Sequence, residues 1–471
     1  MANLQLGIAV FVFSVLIYFL AYRKFLGGKF AVALFFILLA GLVLRIYCSL
    51  DFFLHEWDER YHALVAKNLM NNFSLPMLYA NCPLPCTPTS WTESHIWLHK
   101  FPVPLWLMAI SLKIFGINEI AVRLPSIILS TLSIAITYKI AKVLFNEKVA
   151  LLAAFLHSIN GLVIETASGR VATDHIDALF LVFVELSVYF SLTGIKSRKI
   201  LNYIFCGIFL CAAILTKWLP ALIVIPIWLS IRLKNEFKIT TILLEILLII
   251  FPSVIAAGAW QYYTFTHFPV EYAYEAAHRT KHIFEVLDQQ GGNIFYHFTK
   301  AMRVVHELCW IAFAFGIFFG LKHMQWQYLP LIVWIAVPYL FFTFVETKMQ
   351  AYLLFCAPPF FILLATMYWE IKTWFIKPKY MMLVFILLFF FLPIRYSVER
   401  TKVFWQRDLK PEWVTRVKNY NKLPQKTVVF NEPHNIEAMF YADVTAVYNF
   451  MPDEATKAKL QAEGYQVYVN N

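Results

Sequence analysis

The run HEWDERYH, His55 to His62, packs three carboxylates, an arginine, two histidines and two aromatics into eight positions, directly after the apolar stretch Phe30 to Leu50. Such side chains can deprotonate a nucleophile, grip a phosphate or hold a metal, and at the edge of a membrane they are costly unless they serve a site. Further groups of the same kinds recur in connections that share one side: His95, His99 and Lys100; Arg170, Asp174 and Asp177; Glu275, His278, Arg279, Lys281 and His282; and Lys348 in ETKMQAY. Each has a plainer explanation. An acid at a helix start is favoured by the helix dipole, and a lysine at a membrane edge snorkels.

The elements that position these groups are apolar helices. Of 471 residues 60% are hydrophobic, 18% aromatic and only 15% charged, a membrane composition. Runs long enough to span a bilayer fall near 5–22, 30–50, 124–145, 149–167, 177–194, 200–216, 218–232, 239–263, 304–321, 327–345, 350–371 and 380–394. Val103 to Phe115 is too short to span and predicts a helix lying at the interface. The start, MANLQLGIAV, lacks a positive n-region and reads as a membrane helix rather than a cleaved signal. The net charge of +11 does not imply nucleic acid, because the basic residues sit in short connections around Arg23, Lys139, Lys196, Arg232, Lys322 and Lys372. With those connections cytoplasmic, the positive-inside rule places 51–103, 168–176, 264–303, 346–349 and the tail from Arg395 outside.

The first outer insertion, 51–103, has a helical pattern at each end (DERYHALVAKNLMNN and FPVPLWLMAISLKIFG) around a turn-rich middle. In that middle, Cys82 and Cys86 of NCPLPCTP suit a small disulfide loop in an oxidising compartment; a zinc knuckle would need a second cysteine pair. The tail alternates short β runs (KTVVF, VTAVYN, YQVYV) with helical ones (NIEAMFYA, DEATKAKLQAEG), which predicts a small α/β unit.

Four segments, DERYHALVAKNL, HKFPVPLWLMAISLKIFGINEIAVRLPSII, GRVATDHIDALFLVF and TKMQAYLLFCAPP, in that order and spacing, resemble the polyprenyl-phosphate-sugar-dependent GT-C glycosyltransferases. By motif the resemblance is to bacterial members akin to protein O-mannosyltransferases and the lipid A aminoarabinose transferase, and it runs from about residue 30 to 394. It implies an α-helical polytopic membrane protein of GT-C fold with about 12 transmembrane helices and interfacial helices in the first outer loop. The implied division is a catalytic membrane domain over 1–394, with its large outer loop at 264–303, and a small outer α/β domain over 395–471.

The resemblance also implies a reaction: transfer of a sugar from a polyprenyl-phosphate donor to an acceptor hydroxyl, with inversion. Asp58 matches the base and Glu59 is the fallback. The D-x-x-x-A spacing of DHIDA matches the second acid to Asp174, with Asp177 still open. Lys348, Arg170, Lys100, Arg279 and Tyr61 become the phosphate and donor candidates, with Lys217 secondary. A divalent metal (Zn, Mg or Mn) would fall to His99 and His278, although His99 stands where the aminoarabinose-transferase branch carries an acid. His95 and His99 are spaced to share one helical face. The acceptor is a lipid, a glycan or a protein, and the implied location is a bacterial inner membrane with the site facing the periplasm. The competing classes are a multi-span transporter or flippase of lipid-linked sugars and a non-catalytic scaffold of the same fold; charges at one face rather than at the midplane weigh against the first.

Overall fold

The computed structural model describes residues 2–172, 174–232, 238–322, 324–374, 379–405, 411–424 and 426–470. Helices α1 (Ala2–Leu26) and α2 (Phe30–Cys48) form a hairpin whose turn carries Arg23, Lys24 and Lys29. The loop beyond α2 holds α3 (Asp58–Leu69) and α4 (Pro102–Phe115). Asp58 and Glu59 open α3, where the dipole favours acids, and Pro102 opens α4, where its missing N–H costs nothing. Both interfacial helices of the sequence reading are present. Between them the chain is held by an isolated antiparallel bridge, Met77 to Ile96, and by a Cys82–Cys86 disulfide.

The bundle continues with α5 (Glu119–Leu144), capped by Asn118, whose side chain accepts from the Ala121 N–H at 2.9 Å. Next come α6 (Glu147–Ser158) and α7 (Gly161–Ala167), bent by 54° at Asn160, then α8 (Asp174–Ser197), α9 (Ile200–Lys217), a 3-10 turn (Leu219–Ile223) and α10 (Val224–Arg232). The long α11 (Ile239–His267) leads into α12 (Pro269–Phe284), an amphipathic helix of the large outer loop. A sharp bend of 99° separates α13 (Tyr296–Val304) from α14 (Cys309–Lys322), and α15 (Leu329–Thr343), α16 (Ala357–Trp374) and α17 (Lys379–Lys402) complete the body.

Among the described residues nine helices are long and apolar enough to cross a bilayer, and the two bent pairs bring the number to 11; Leu219–Arg232 is a shorter apolar segment. All twelve expected runs therefore correspond to helical segments, but 304–321 starts inside the bend rather than as a straight span. The chain is a multi-pass membrane protein. Helices α8 and α16 lie at the centre, while α1, α11 and α17 turn rows of apolar side chains outward, where lipid replaces protein contacts. Helices α9 and α11 approach closely at Gly207, where a Cβ would meet the Leu248 and Ile249 carbonyl oxygens at 2.7 Å.

The tail folds as expected into a small α/β unit, α18 (Glu412–Asn419), β1 (Thr427–Phe430), α19 (Asn435–Tyr441), β2 (Thr445–Ala446), α20 (Glu454–Ala462) and β3 (Gln466–Val469). Its parallel sheet has the order β2-β1-β3, with a helix in each crossover. The expected boundary at 394 falls inside α17, which runs on to Lys402. The tail docks on the first outer loop: the Lys67 ammonium donates to the Met439 carbonyl at 2.8 Å, near the end of α19, and Tyr441 Oη donates to Glu119 Oε1 at 2.7 Å.

Candidate functional site

At the outer end of the bundle, α3, the segment before α4, the first turn of α8, the last turn of α9 and α12 bring their ionisable side chains together. Asp58 Oδ2 lies 3.2 Å from the Lys100 ammonium. Burial opposes ionisation of Asp58, but Lys100, then His62 and His99, outweigh it and hold its carboxyl well below the usual carboxylate range. Lys100 responds in the opposite sense. Burial pushes its ammonium down, yet the carboxylates of Asp58, Asp174 and Asp177 raise it above an ordinary lysine, so all three acids act on one cation.

One turn along α3 from Asp58, His62 Nδ1 lies 3.1 Å from Asp174 Oδ1, with both side chains fully buried. The second Asp174 oxygen has no hydrogen-bond partner among the described residues. Asp177, the other candidate in DHIDA, pairs with Lys217, whose ammonium also sits 4.7 Å from the centre of the Tyr352 ring. Lys217, a secondary candidate from the sequence, is thus in the cluster. His62 and Glu275 carried no role in the sequence reading; the spacing of Asp58 to His62, one helical turn, was the available signal for the first.

Helix α12 presents Glu275, His278, Arg279 and His282 on one face. Glu275 Oε2 and His99 Nδ1 are 3.1 Å apart, and the His99 ring lies flat against Trp91, with centroids 5.0 Å apart. Burial, then the Lys100 charge, pushes His99 down, and burial together with His278 and Lys100 takes His282 down to about 4. Arg279 stacks over Phe101 at 5.3 Å, and Phe101 stacks on Trp218.

Several expected positions are placed elsewhere. Glu59 is a pin: Arg123 binds both its oxygens, Nε to Oε1 at 2.7 Å and Nη2 to Oε2 at 2.8 Å, while the His55 N–H donates to Oε2 at 2.7 Å. Arg123 also donates to the Ser49, Asp51 and Phe53 carbonyls at 3.0, 2.6 and 2.7 Å, which ties the loop after α2 to α5. The motif KIFGINEIAVRLPS thus acts through its arginine as a brace for α3. Gly169, at φ +79°, lies so close that a Cβ there would run into Glu59 and His175. Arg170 pairs with Glu165, which also binds Arg400 of α17. Tyr61 turns toward Trp91, 5.0 Å between ring centroids, and borders a cavity under the tail rather than the Lys100 cluster. The Lys348 ammonium is buried and donates to the Val345 carbonyl at 2.5 Å, beside His297.

The two histidines at i,i+4 do not share a helix. Residues 91–101 are non-helical, His95 Nδ1 pairs with the Tyr79 carbonyl at 2.6 Å, and His99 turns to Glu275. The His99 and His278 rings are neighbours, with centroids 5.4 Å apart, but among the described residues no group of three or more His, Cys, Asp or Glu side chains converges as metal ligands do. At Asp58 the adjacent positive charge is the Lys100 ammonium.

These features are those of a GT-C membrane glycosyltransferase fold. Residues 99–260 match the family described as dolichyl-phosphate-mannose-protein mannosyltransferase. The chain superposes on the crystal structure of ArnT from Cupriavidus metallidurans bound to undecaprenyl phosphate with a TM-score of 0.62 and 14% identity, covering 95% of this chain and 90% of that one. It also matches the Archaeoglobus fulgidus oligosaccharyltransferase in complex with Zn and sulfate, TM-score 0.55 and 12% identity over 88% of this chain and 62% of that chain. In sequence it is 24% identical over 300 residues to undecaprenyl phosphate-alpha-4-amino-4-deoxy-L-arabinose arabinosyl transferase 2 of Pseudomonas fluorescens, covering 59% of this chain and 48% of the relative. The alignments span about half the length of the curated arabinosyl transferases. The chain thus shares the fold of these glycosyltransferases and is similar in sequence, over part of its length, to the mannosyltransferase family and to the arabinosyl transferases.

Proposed function

We propose that the protein transfers a sugar from a polyprenyl-phosphate donor to an acceptor hydroxyl on the outer membrane face, with Asp58 as base. The observation that carries this reading is the gathering of Asp58, Asp174 and Asp177 around the Lys100 ammonium at one end of a GT-C bundle. A phosphate leaving group needs cations and no general acid, and Lys100 and Lys217 supply them beside the only kind of group needed for the attack, a carboxylate. Arg279 extends this positive edge on α12.

In the step itself, the acceptor oxygen forms its bond to the anomeric carbon and its proton passes to Asp58. The carbon–oxygen bond to phosphate breaks on the opposite side, its electron pair leaves with polyprenyl phosphate, and configuration inverts. Before the donor arrives, Lys100 holds Asp58 far below an ordinary carboxylate, which makes it a weak base. A donor phosphate competes for the same ammonium, so donor binding strengthens the base at the moment when the acceptor must be deprotonated. Asp174 positions His62 one turn from Asp58. Relatives named for undecaprenyl-phosphate aminoarabinose transfer favour a sugar donor on a bacterial polyprenyl phosphate, with a lipid, a glycan or a protein as acceptor. The Cys82–Cys86 disulfide lies on the same side as Asp58, and the basic connections lie at the other end, which supports a bacterial inner membrane with the site facing the periplasm.

The test is sugar transfer by the purified chain from radiolabelled polyprenyl-phosphate sugars into native lipid extract, wild type against Asp58→Asn. Transfer lost in a folded variant is the expected result. Equal rates would remove Asp58 as base, and no turnover of any donor by the wild type would overturn the transferase reading.

A further inference from the structure

At the end of the bundle remote from Asp58, a cavity of about 670 Å3 opens where α5, α8, α9, α10, α11 and α15 meet the cytoplasmic boundary. Its rim carries three exposed cations, Lys196 and Arg198 from the turn between α8 and α9 and Lys238 at the start of α11. Among the described residues Glu245 is the one acid that lines it, and it is taken by Arg232, Nε to Oε2 at 2.9 Å. Arg198 sits at φ 56°, a backbone conformation that glycine or asparagine would adopt more cheaply, so the tight turn keeps a cation at a conformational cost. The positive-inside rule accounts for basic residues on this side, but not for a cavity that collects them. On the membrane side the wall becomes apolar through Leu244 and Leu248 of α11, with Leu244 49% exposed on the lipid-facing surface, and Trp326 stands at the interface.

We propose that this cavity binds an anionic phospholipid of the cytoplasmic leaflet, its phosphate among Lys196, Arg198 and Lys238 and an acyl chain along Leu244 and Leu248. A cationic rim on an apolar groove at membrane depth matches a lipid with a charged headgroup on both counts, whereas a free anion would use the rim alone. The site is separate from sugar transfer and stands whether or not that reading holds.

The test uses the full chain, delipidated in detergent, with binding of phosphatidylglycerol read by native mass spectrometry and by thermal shift. Phosphatidylethanolamine and inorganic phosphate are the comparison probes. Phosphatidylglycerol is expected to bind and to raise the melting temperature, and Lys196→Gln/Arg198→Gln/Lys238→Gln is expected to weaken it at least tenfold. Lys322→Gln/Lys372→Gln, which removes charge from other basic connections, should leave binding unchanged. Leu244→Trp keeps every cation and should block the groove, so it serves also if the triple variant does not fold. Equal binding by the triple variant or of phosphatidylethanolamine, equal loss in the Lys322/Lys372 control, or full protection by inorganic phosphate alone would each overturn the proposal.

Discussion

Two polar clusters are built into this membrane body, and they are satisfied in opposite ways. At the outer end, carboxylates meet lysines and imidazoles: Asp58 with Lys100, Asp174 with His62, Asp177 with Lys217, Glu275 with His99. In the middle of the bundle, Glu185 of α8 pairs with no cation among the described residues; it accepts from the Ser133 and Thr137 hydroxyls of α5, and Thr137 in turn bonds His157 Nδ1 at 2.7 Å. Arg45 of α2, in the same region, gives its guanidinium to Ser130 Oγ at 3.0 Å and to the Gly41 and Ser158 carbonyls at 3.0 and 3.3 Å. Hydroxyl and carbonyl partners solvate a group where it stands and join α2, α5, α6 and α8 in register. Ion pairs are exchangeable, because an incoming phosphate can replace a carboxylate at the same ammonium. The difference separates a hydroxyl-bound, fixed use of buried polarity from an ion-paired, exchangeable one.

That separation can be broken experimentally. Asp58→Asn should cost about 10²–10⁴ in transfer rate with the fold intact, the range for loss of a positioned base, checked by steady-state transfer and size-exclusion profile. Arg123→Ala leaves Glu59 buried without its partner and should destabilise the protein by about 3–5 kcal/mol, seen as a lower melting temperature in detergent; an unchanged melting point would refute the brace. Lys100→Met removes one charge-assisted contact to the donor, worth about 1.5–3 kcal/mol, and should raise the donor KM. The same substitution has a pH signature. The Asp58 carboxyl is depressed in the folded protein, so its ionised form and the stability it brings persist until the pH falls through that low value. Without Lys100 burial dominates and the acid limb of the pH–rate profile moves to higher pH. A limb that stays in place would separate Lys100 from Asp58. The smallest effect belongs to the inner network: Glu185→Ala strands two buried hydroxyls at about 1–3 kcal/mol and should leave the transfer rate per folded molecule unchanged. A large loss of rate in Glu185→Gln would erase the distinction between the clusters.

The outer acids were legible in the sequence because carboxylates stand out at the end of an apolar run, and the tail was legible because its period changes from helix to strand and back. Roles within HEWDERYH were not. Asp58 and Glu59 are adjacent and chemically alike, and only the arrival of Arg123, 64 residues away, makes one a pin and leaves the other beside Lys100. Arg170 was a phosphate candidate through its charge, and nothing local in the sequence marks its pairing with Glu165, which Arg400 shares. His95 and His99 misled because helical spacing was applied to a segment that the Met77–Ile96 bridge holds extended.

The sequence by itself determined the apolar spans, the two short helices at the ends of the 51–103 insertion and the alternation of the tail, because hydrophobic periodicity is a local quantity summed along the chain. Tertiary structure alone decided which acid meets which cation. Coulomb interaction depends on distance through space and on burial, and both are set by how α3, α5, α8, α9 and α12 pack at one end of the bundle.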